Sequence, residues 1–398
     1  MIVLVAAATF PSEMSGVQRH AFNLVRCLLL SGRIAAVHLV VAPWQRKLVT
    51  SAGLLASGRL HIHFAEMESS PVSRILWYYR GLPSLAALLQ VDLVHLAYPV
   101  PVNAGAFPCP VVVTLHDLYP YEIPLNFGLP QILFNRLILQ QCLRNVNAIV
   151  CVSQTTRDLL RKHAPERVWN KAVRIYNCVE PMRESHPHSP IPGWEGEPFL
   201  LSVAQHRRNK NIPLLLRAFS RLLRLRRIEP NMRLVVIGIG GPETPRILSL
   251  ISRLGLRGKV CLLEGISEAQ LKWCYSRCEA LVAPSKTEGF GLPVAEALLA
   301  GCRVVCSDIP AFREIAAQHC RFVSLDRNEV EDLADAIAAA LREPARIPLT
   351  LPQFSSHAIS GQLISLYRTL LASPTPLPIA ASSDPVRTAP AERRLQWK

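Results

Sequence analysis

The chain has 398 residues, half of them hydrophobic and 18% charged, which suits two ordinary domains and excludes a largely disordered polypeptide. Its formal net charge of +15 would fit nucleic acid, an anionic membrane face or phosphorylated substrates. Residues 1–180 carry 16 Lys and Arg against 9 Asp and Glu, and the remainder 28 against 20; with no basic pole and no recognition-helix, zinc-finger or ribonucleoprotein pattern, nucleic-acid binding is not expected.

The N-terminus, Met1-Ile-Val-Leu-Val-Ala-Ala-Ala, lacks the basic lead-in of a secretory signal, so Ile2–Ala8 is predicted as a buried first strand and a cytoplasmic placement is expected. Val17–Leu30 follows as an amphipathic helix with Ala21, Leu24, Val25, Leu28 and Leu29 on one stripe. Arg74–Arg80 is apolar and basic together, as is Gln131–Arg144; such stretches are core helices or contacts with the inner face of an anionic membrane. Leu93–Leu96, Val111–Leu115 and Ala148–Val152 continue a strand series. No apolar run reaches the roughly 18 to 20 residues of a spanning helix, since Ile132–Val150 is broken by Asn, Arg and Gln.

Pro181–Glu197, rich in Pro, Gly and His, cannot hold a helix or a ladder and divides an N-terminal unit, 1–180, from a second unit, 198–350. There Phe199–Val203, Arg233–Gly238, Val260–Leu263, Ala280–Pro284 and Arg303–Cys306 are predicted strands, with helices such as Ile212–Arg224 between them. Strand, loop, helix repeated in this way is the rhythm of a parallel α/β sheet. Beyond Pro344–Pro352 a helix, Ser355–Leu371, is expected to pack back on the first unit within 351–372, before a mobile tail at 373–398. The eleven cysteines sit in apolar runs and lack the companion spacing of a zinc site; they read as small core residues, and no metal is expected.

Chemistry concentrates in Ala283-Pro-Ser-Lys-Thr-Glu-Gly-Phe-Gly-Leu-Pro-Val-Ala-Glu-Ala-Leu-Leu-Ala-Gly301, one strand-to-strand crossover. Gly289 and Gly291 permit tight backbone geometry, Pro293 suits a first helical turn, and Gly301 can close the helix in a left-handed conformation. The free amides around Phe290, Gly291 and Leu292, at the positive end of the helix dipole, favour a phosphate. Glu296 is then placed to hydrogen-bond a ribose diol and Glu288, in the loop, to address a sugar. Gly238-Ile-Gly-Gly241 is a turn after a strand that could border a base, without a complete nucleotide fingerprint.

Glu288 and Glu296, seven residues between them and set in Glu-Gly-Phe-Gly-Leu-Pro, resemble the motif of retaining family 4 glycosyltransferases of GT-B fold. Ser202-Val-Ala-Gln-His-Arg-Arg-Asn-Lys-Asn211 resembles that family's diphosphate-binding strand, loop and helix start, with Lys210 on the matching lysine. Thr114-Leu-His-Asp-Leu resembles its His-Asp loop, and Cys151-Val-Ser-Gln-Thr-Thr-Arg-Asp-Leu-Leu its Val-Ser-x-x-Thr-Arg segment. The likeness runs over residues 1–371. It implies an α/β fold of two Rossmann-like parallel-sheet domains facing a central cleft. Lys210 and the amides of Phe290–Leu292 would hold a diphosphate, Glu296 the ribose, and Glu288 and His116 the donor sugar, with Gly16 in a loop that approaches the cleft. Where many members carry Gly-Arg before the lysine, this chain has Ala204-Gln205, leaving Arg207 and Arg208 as candidates to supply the charge.

The implied activity transfers a hexosyl group, mannosyl among the candidates, from a UDP- or GDP-sugar to a hydroxyl of a glycan or glycolipid, with retention, in polysaccharide or glycolipid synthesis. Preorganised cations would meet the charge on the departing diphosphate without a metal or other cofactor, and the leaving phosphate would take the acceptor proton. The alternatives are a nucleotide-sugar epimerase or hydrolase of the same fold, and a non-catalytic nucleotide-sugar-binding protein; a dehydrogenase would need a nicotinamide fingerprint that is not found.

Overall fold

The computed structural model describes residues 1–10, 12, 14–54, 57–123, 129–181, 187–344 and 347–372. The tail expected at 373–398 and residues 182–186 of the expected linker lie outside the described residues. The first sheet contains β1 (Ile2–Ala6), β2 (Ala36–Val41), β3 (Leu60–Phe64), β4 (Leu93–Leu96), β5 (Val111–Leu115), β6 (Ala148–Cys151) and β7 (Ala172–Arg174). They lie in the order β3-β2-β1-β4-β5-β6-β7, every neighbouring pair parallel. Every residue of β4, β5 and β6 is buried, as expected of parallel strands covered by helices on both faces.

The second sheet contains β8 (Phe199–Val203), β9 (Arg233–Ile237), β10 (Val260–Leu263), β11 (Ala280–Ala283), β12 (Val304–Ser307) and β13 (Arg321–Val323), ordered β10-β9-β8-β11-β12-β13 and again all parallel. The two doubly wound units expected from the sequence are therefore both present. Strand order reverses between β1 and β4 and between β8 and β11, and crevices at the carboxyl ends of such switch points are where these sheets bind ligands. The strands missing from the predicted series are β2, β3, β7 and β13. β3 alternates Leu60, Ile62 and Phe64 with His61 and His63 on an edge, and β7 and β13 have three residues each, too short to leave a period.

Among the described residues two crossings join the domains, and they run side by side: Val179 N donates to Phe354 O at 2.9 Å, and Ser356 N to Glu180 Oε1 at 2.6 Å. The final helix, Ser356–Ala372, buries Ile359, Leu363, Ile364 and Tyr367 in one apolar cluster with Leu24, Val25 and Leu28 of the first helix, Gly16–Leu30. The Ser356–Ala372 helix thus packs on the domain in which the chain began. Both apolar and basic stretches are helical and show apolar side chains on the surface: Leu133, Phe134 and Leu137 are 60%, 45% and 65% exposed on the Leu129–Asn145 helix, and Val72, Leu76 and Tyr79 are exposed on Pro71–Gly81. Their arginines are partly engaged, Arg74 over the ring of Phe10 at 3.8 Å and Arg136 over that of Tyr121 at 4.7 Å.

Candidate active site

The loop after β11 is built to lie against other backbone. Gly291 has φ +100°, and a Cβ there would stand 2.6 Å from the Phe312 ring; a Cβ on Gly289 would stand 1.6 Å from the carbonyl oxygen of His116 in the opposite domain. Only glycine allows either approach. Between them the Phe290 ring is buried against Phe354 and Tyr176, at centroid distances of 5.3 and 6.1 Å, so the loop is anchored on both interdomain crossings. Phe290 therefore offers the site its amide and keeps its ring in the core. The amides of Phe290, Gly291 and Leu292 have no protein acceptor among the described residues, and Pro293 contributes no N–H, so three donors stand at the start of the Leu292–Leu299 helix.

Lys210 comes from the loop after β8, where Asn211 takes a left-handed conformation, φ 53°, before the Ile212–Arg224 helix. Lys286 N donates to Asn209 O at 2.7 Å, tying this loop to the one after β11. The Lys210 ammonium then meets both oxygens of Glu288, at 2.6 and 2.7 Å, and Ser285 Oγ donates to Glu288 Oε1 at 2.7 Å. Arg207 and Arg208 are both exposed in this loop. The Arg207 charge acts on Asp117 of the opposite domain; among the described residues no such interaction distinguishes Arg208. The Gly238–Gly241 turn packs on the same loop, with Gly238 against Ala204 O and Gly241 against His206 O, and the Thr244–Arg253 helix starts three residues later.

On the facing domain His116 follows the fully buried β5. Its Nε2 lies 2.8 Å from Ala97 O, and since a carbonyl only accepts, Nε2 carries the proton and Nδ1 is the acceptor. Burial pulls its pKa down to about 4, so the ring is neutral at neutral pH. His20 packs edge-on to it, ring centroids 4.6 Å apart, and is held by Asn177 Oδ1 at 2.7 Å and Thr114 Oγ1 at 3.2 Å. Burial pushes the neighbouring Asp117 carboxyl up to about 6, with Lys210 and Arg207 pulling it down and Glu288 adding to the rise.

Ser153, the N-cap of the Gln154–His163 helix, donates to Gly289 O at 2.5 Å, and Thr156 Oγ1 lies 3.2 Å from both Gly289 O and His116 O. Glu314 reaches back across the cleft to the amides of Gln154 and Thr155 at 2.6 and 3.0 Å, compensating the helix's free donors. The Val-Ser-x-x-Thr segment thus clasps the glutamate-bearing loop.

A model described as Glycosyltransferase Family 4 matches residues 14–183, and one described as Glycosyl transferases group 1 matches residues 186–351. The chain belongs to glycosyltransferase family 4. It is similar to the O-antigen chain mannosyltransferase RfbU of Salmonella typhimurium, 28% identical over 239 residues, which are 57% of this chain and 62% of that protein. The match therefore spans less than two thirds of that relative's length. It is also similar to the GDP-mannose:cellobiosyl-diphosphopolyprenol alpha-mannosyltransferase of Xanthomonas oryzae, 27% identical over 302 residues, 71% of this chain and 74% of that one. In fold it matches sucrose-phosphate synthase from Thermosynechococcus elongatus, with TM-score 0.72, 19% identity and coverage of 94% and 99% of the two chains, in keeping with the expected GT-B architecture.

Of the residues singled out in this family 4 sequence, Lys210, Glu288, Phe290, Gly291, Leu292 and His116 meet around one interdomain contact. Gly16 starts the first helix in open space. One turn on, Arg19 Nη1 crosses to Glu296 Oε1 at 2.9 Å, while Tyr275 OH donates to Glu296 Oε2 at 2.9 Å. Glu296 lies one turn into its helix and is buried. Arg19 and Tyr275 did not emerge as site residues from the sequence, and Asp117 stood in the His-Asp loop without a role of its own. The available signal for Arg19 was a charge within the first turn of a helix that otherwise faces the core.

Proposed function

We propose that this family 4 glycosyltransferase moves a mannosyl group from GDP-mannose to a hydroxyl of a lipid-linked glycan, with retention of anomeric configuration. The observation that carries the reading is the Lys210 ammonium held by both oxygens of Glu288 beside the free amides of Phe290–Leu292. A cation and a helix N-terminus there can meet charge developing on a departing diphosphate without reorganising. The Salmonella and Xanthomonas relatives, both mannosyltransferases by name, favour mannose, and the name of the Xanthomonas protein favours GDP and a lipid-diphosphate acceptor.

In this mechanism Glu296 holds the ribose and Glu288 the sugar hydroxyls, and neutral His116 accepts a hydrogen bond from the sugar through Nδ1. Lys210, the amides and Arg207 hold the diphosphate. The bond from the anomeric carbon to the phosphate oxygen breaks, the acceptor oxygen bonds to that carbon on the same face, and its proton passes to the leaving phosphate. The protein cations carry the electrostatics, so transfer should survive excess EDTA; loss restored by magnesium or manganese would contradict this. The exposed Leu133, Phe134 and Leu137 would bring the N-terminal domain to an anionic membrane face where a lipid-linked acceptor resides.

The test is transfer from a panel of GDP- and UDP-sugars to a lipid-diphosphate glycan, with Lys210→Ala as the control. Acceptor-dependent release of GDP is expected, falling on the order of a hundredfold or more in the variant. Donor isomerisation or hydrolysis without acceptor, or transfer from UDP-sugars alone, would refute it.

A further inference from the structure

Arg19 and Glu296 belong to different domains, yet they make one of the less exposed ion pairs of the molecule, their side chains 20% and 7% exposed. Arg19 sits in the first turn of its helix because Ser15 and Gln18 form a capping box ahead of it, and Gln18 Nε2 is itself held by Thr9 Oγ1 at 2.7 Å. The turn is therefore rigid where the guanidinium leaves it. Across the cleft, Tyr275 occupies the other oxygen of Glu296. Burial disfavours the guanidinium's charge, but Glu296, Tyr275 and Glu268 more than offset that and hold its pKa above the ordinary range.

A carboxylate has about four lone-pair positions, two on each oxygen. Arg19 takes one on Oε1 and Tyr275 one on Oε2, which leaves one acceptor position on each oxygen. Two vicinal hydroxyls need two such acceptors, one apiece. The pair of protein donors thus fixes the plane of the carboxylate while leaving it able to accept a diol. We infer that Arg19 is a positioning residue for the nucleoside subsite, supplied by the opposite domain: it orients Glu296 for the ribose, so that nucleoside binding and the apposition of the two domains reinforce each other. The inference rests on Glu296 being the ribose ligand of the proposed donor site. Because the coupling is a free energy between two events, it acts in both directions. Arg26 on the same helix and Glu268 make a longer, more exposed contact of 3.4 Å, which assists apposition without touching Glu296.

A plain interdomain strut would have a different signature, since Lys210, Glu296 and the Phe290–Leu292 amides all lie in the C-terminal domain. Removing a strut would leave their affinities as they were. The experiment is calorimetry of the full chain and of Arg19→Met, Arg19→Lys and Tyr275→Phe with GDP, UDP and inorganic pyrophosphate, alongside donor kinetics. Arg19→Met is expected to weaken the preferred nucleoside diphosphate about tenfold, raise KM for the donor more than it lowers kcat, and leave pyrophosphate affinity unchanged. Arg19→Lys should recover part of the loss, and Tyr275→Phe should show a smaller one of the same kind. Unchanged nucleoside diphosphate affinity in Arg19→Met, or an equal fall for nucleoside diphosphate and pyrophosphate, overturns the inference while leaving the donor site standing. A wild-type chain that binds neither GDP nor UDP overturns the donor site itself, and the inference with it.

Discussion

Gly289→Ala is the most severe small perturbation the structure offers. The added methyl would stand 1.6 Å from His116 O, whereas such contacts do not close below about 3 Å, so loop and strand end must separate by at least roughly 1.4 Å. Neither side can yield by turning a side chain, because the clash is with backbone. The separation also breaks the hydrogen bonds from Ser153 and Thr156 to Gly289 O. Misplacing reacting groups by about 1 Å can cost on the order of a hundredfold, and here Glu288 and His116 move apart together, so kcat/KM for transfer should fall at least that far. Affinity for GDP should fall much less than turnover, since Lys210 and Glu296 are on the same side of the break and only the Arg19 contact to Glu296 spans it. Steady-state transfer kinetics and GDP calorimetry on the variant check both halves. Turnover within a fewfold of wild type would show that the apposition of Gly289 and His116 is not the geometry in which transfer occurs.

Glu296→Gln should weaken donor and GDP alike, whereas Glu288→Gln should impair transfer and leave GDP affinity equal or tighter, because Lys210 then loses its carboxylate partner; similar losses of GDP affinity in both variants would refute the division between ribose and sugar. Asp117, raised to about 6, favours its neutral form in the fold, so stability falls as pH rises from about 4, where the unfolded carboxyl ionises, to about 6, and is level above that. Asp117→Asn should therefore gain stability relative to wild type across that window in urea denaturation at a series of pH values, and a pH-independent difference would contradict the assignment. Flotation with anionic vesicles should recover the protein at low salt and lose it on replacing Leu133 and Leu137 by Ser; binding unaffected by that pair removes this helix from the membrane contact.

The glutamate-bearing loop was legible in the sequence because its constraints are local. Gly291 needs a left-handed backbone, Pro293 a first helical turn and Gly301, with φ +78°, a left-handed close, so the chain must spell them out in order. The central strands β1, β4, β5, β6, β8 and β11 were legible for a similar reason, as their residues are nearly all buried and nearly all apolar. β7 and β13 were not, since three residues at a sheet edge leave neither run nor period.

The sequence by itself determined two parallel α/β units and a phosphate-suited helix start, and it singled out Lys210, Glu288, Glu296 and His116 as candidates. Only the tertiary structure decided how these meet: Gly289 on the His116 carbonyl, Arg19 and Tyr275 on Glu296, and Asp117 within reach of the Lys210 and Arg207 charges. Each of these joins residues more than 15 positions apart, most of them across the domain boundary. Local spacing specifies a turn or a cap, but a contact between two sheets depends on how both pack, which no short stretch of sequence encodes.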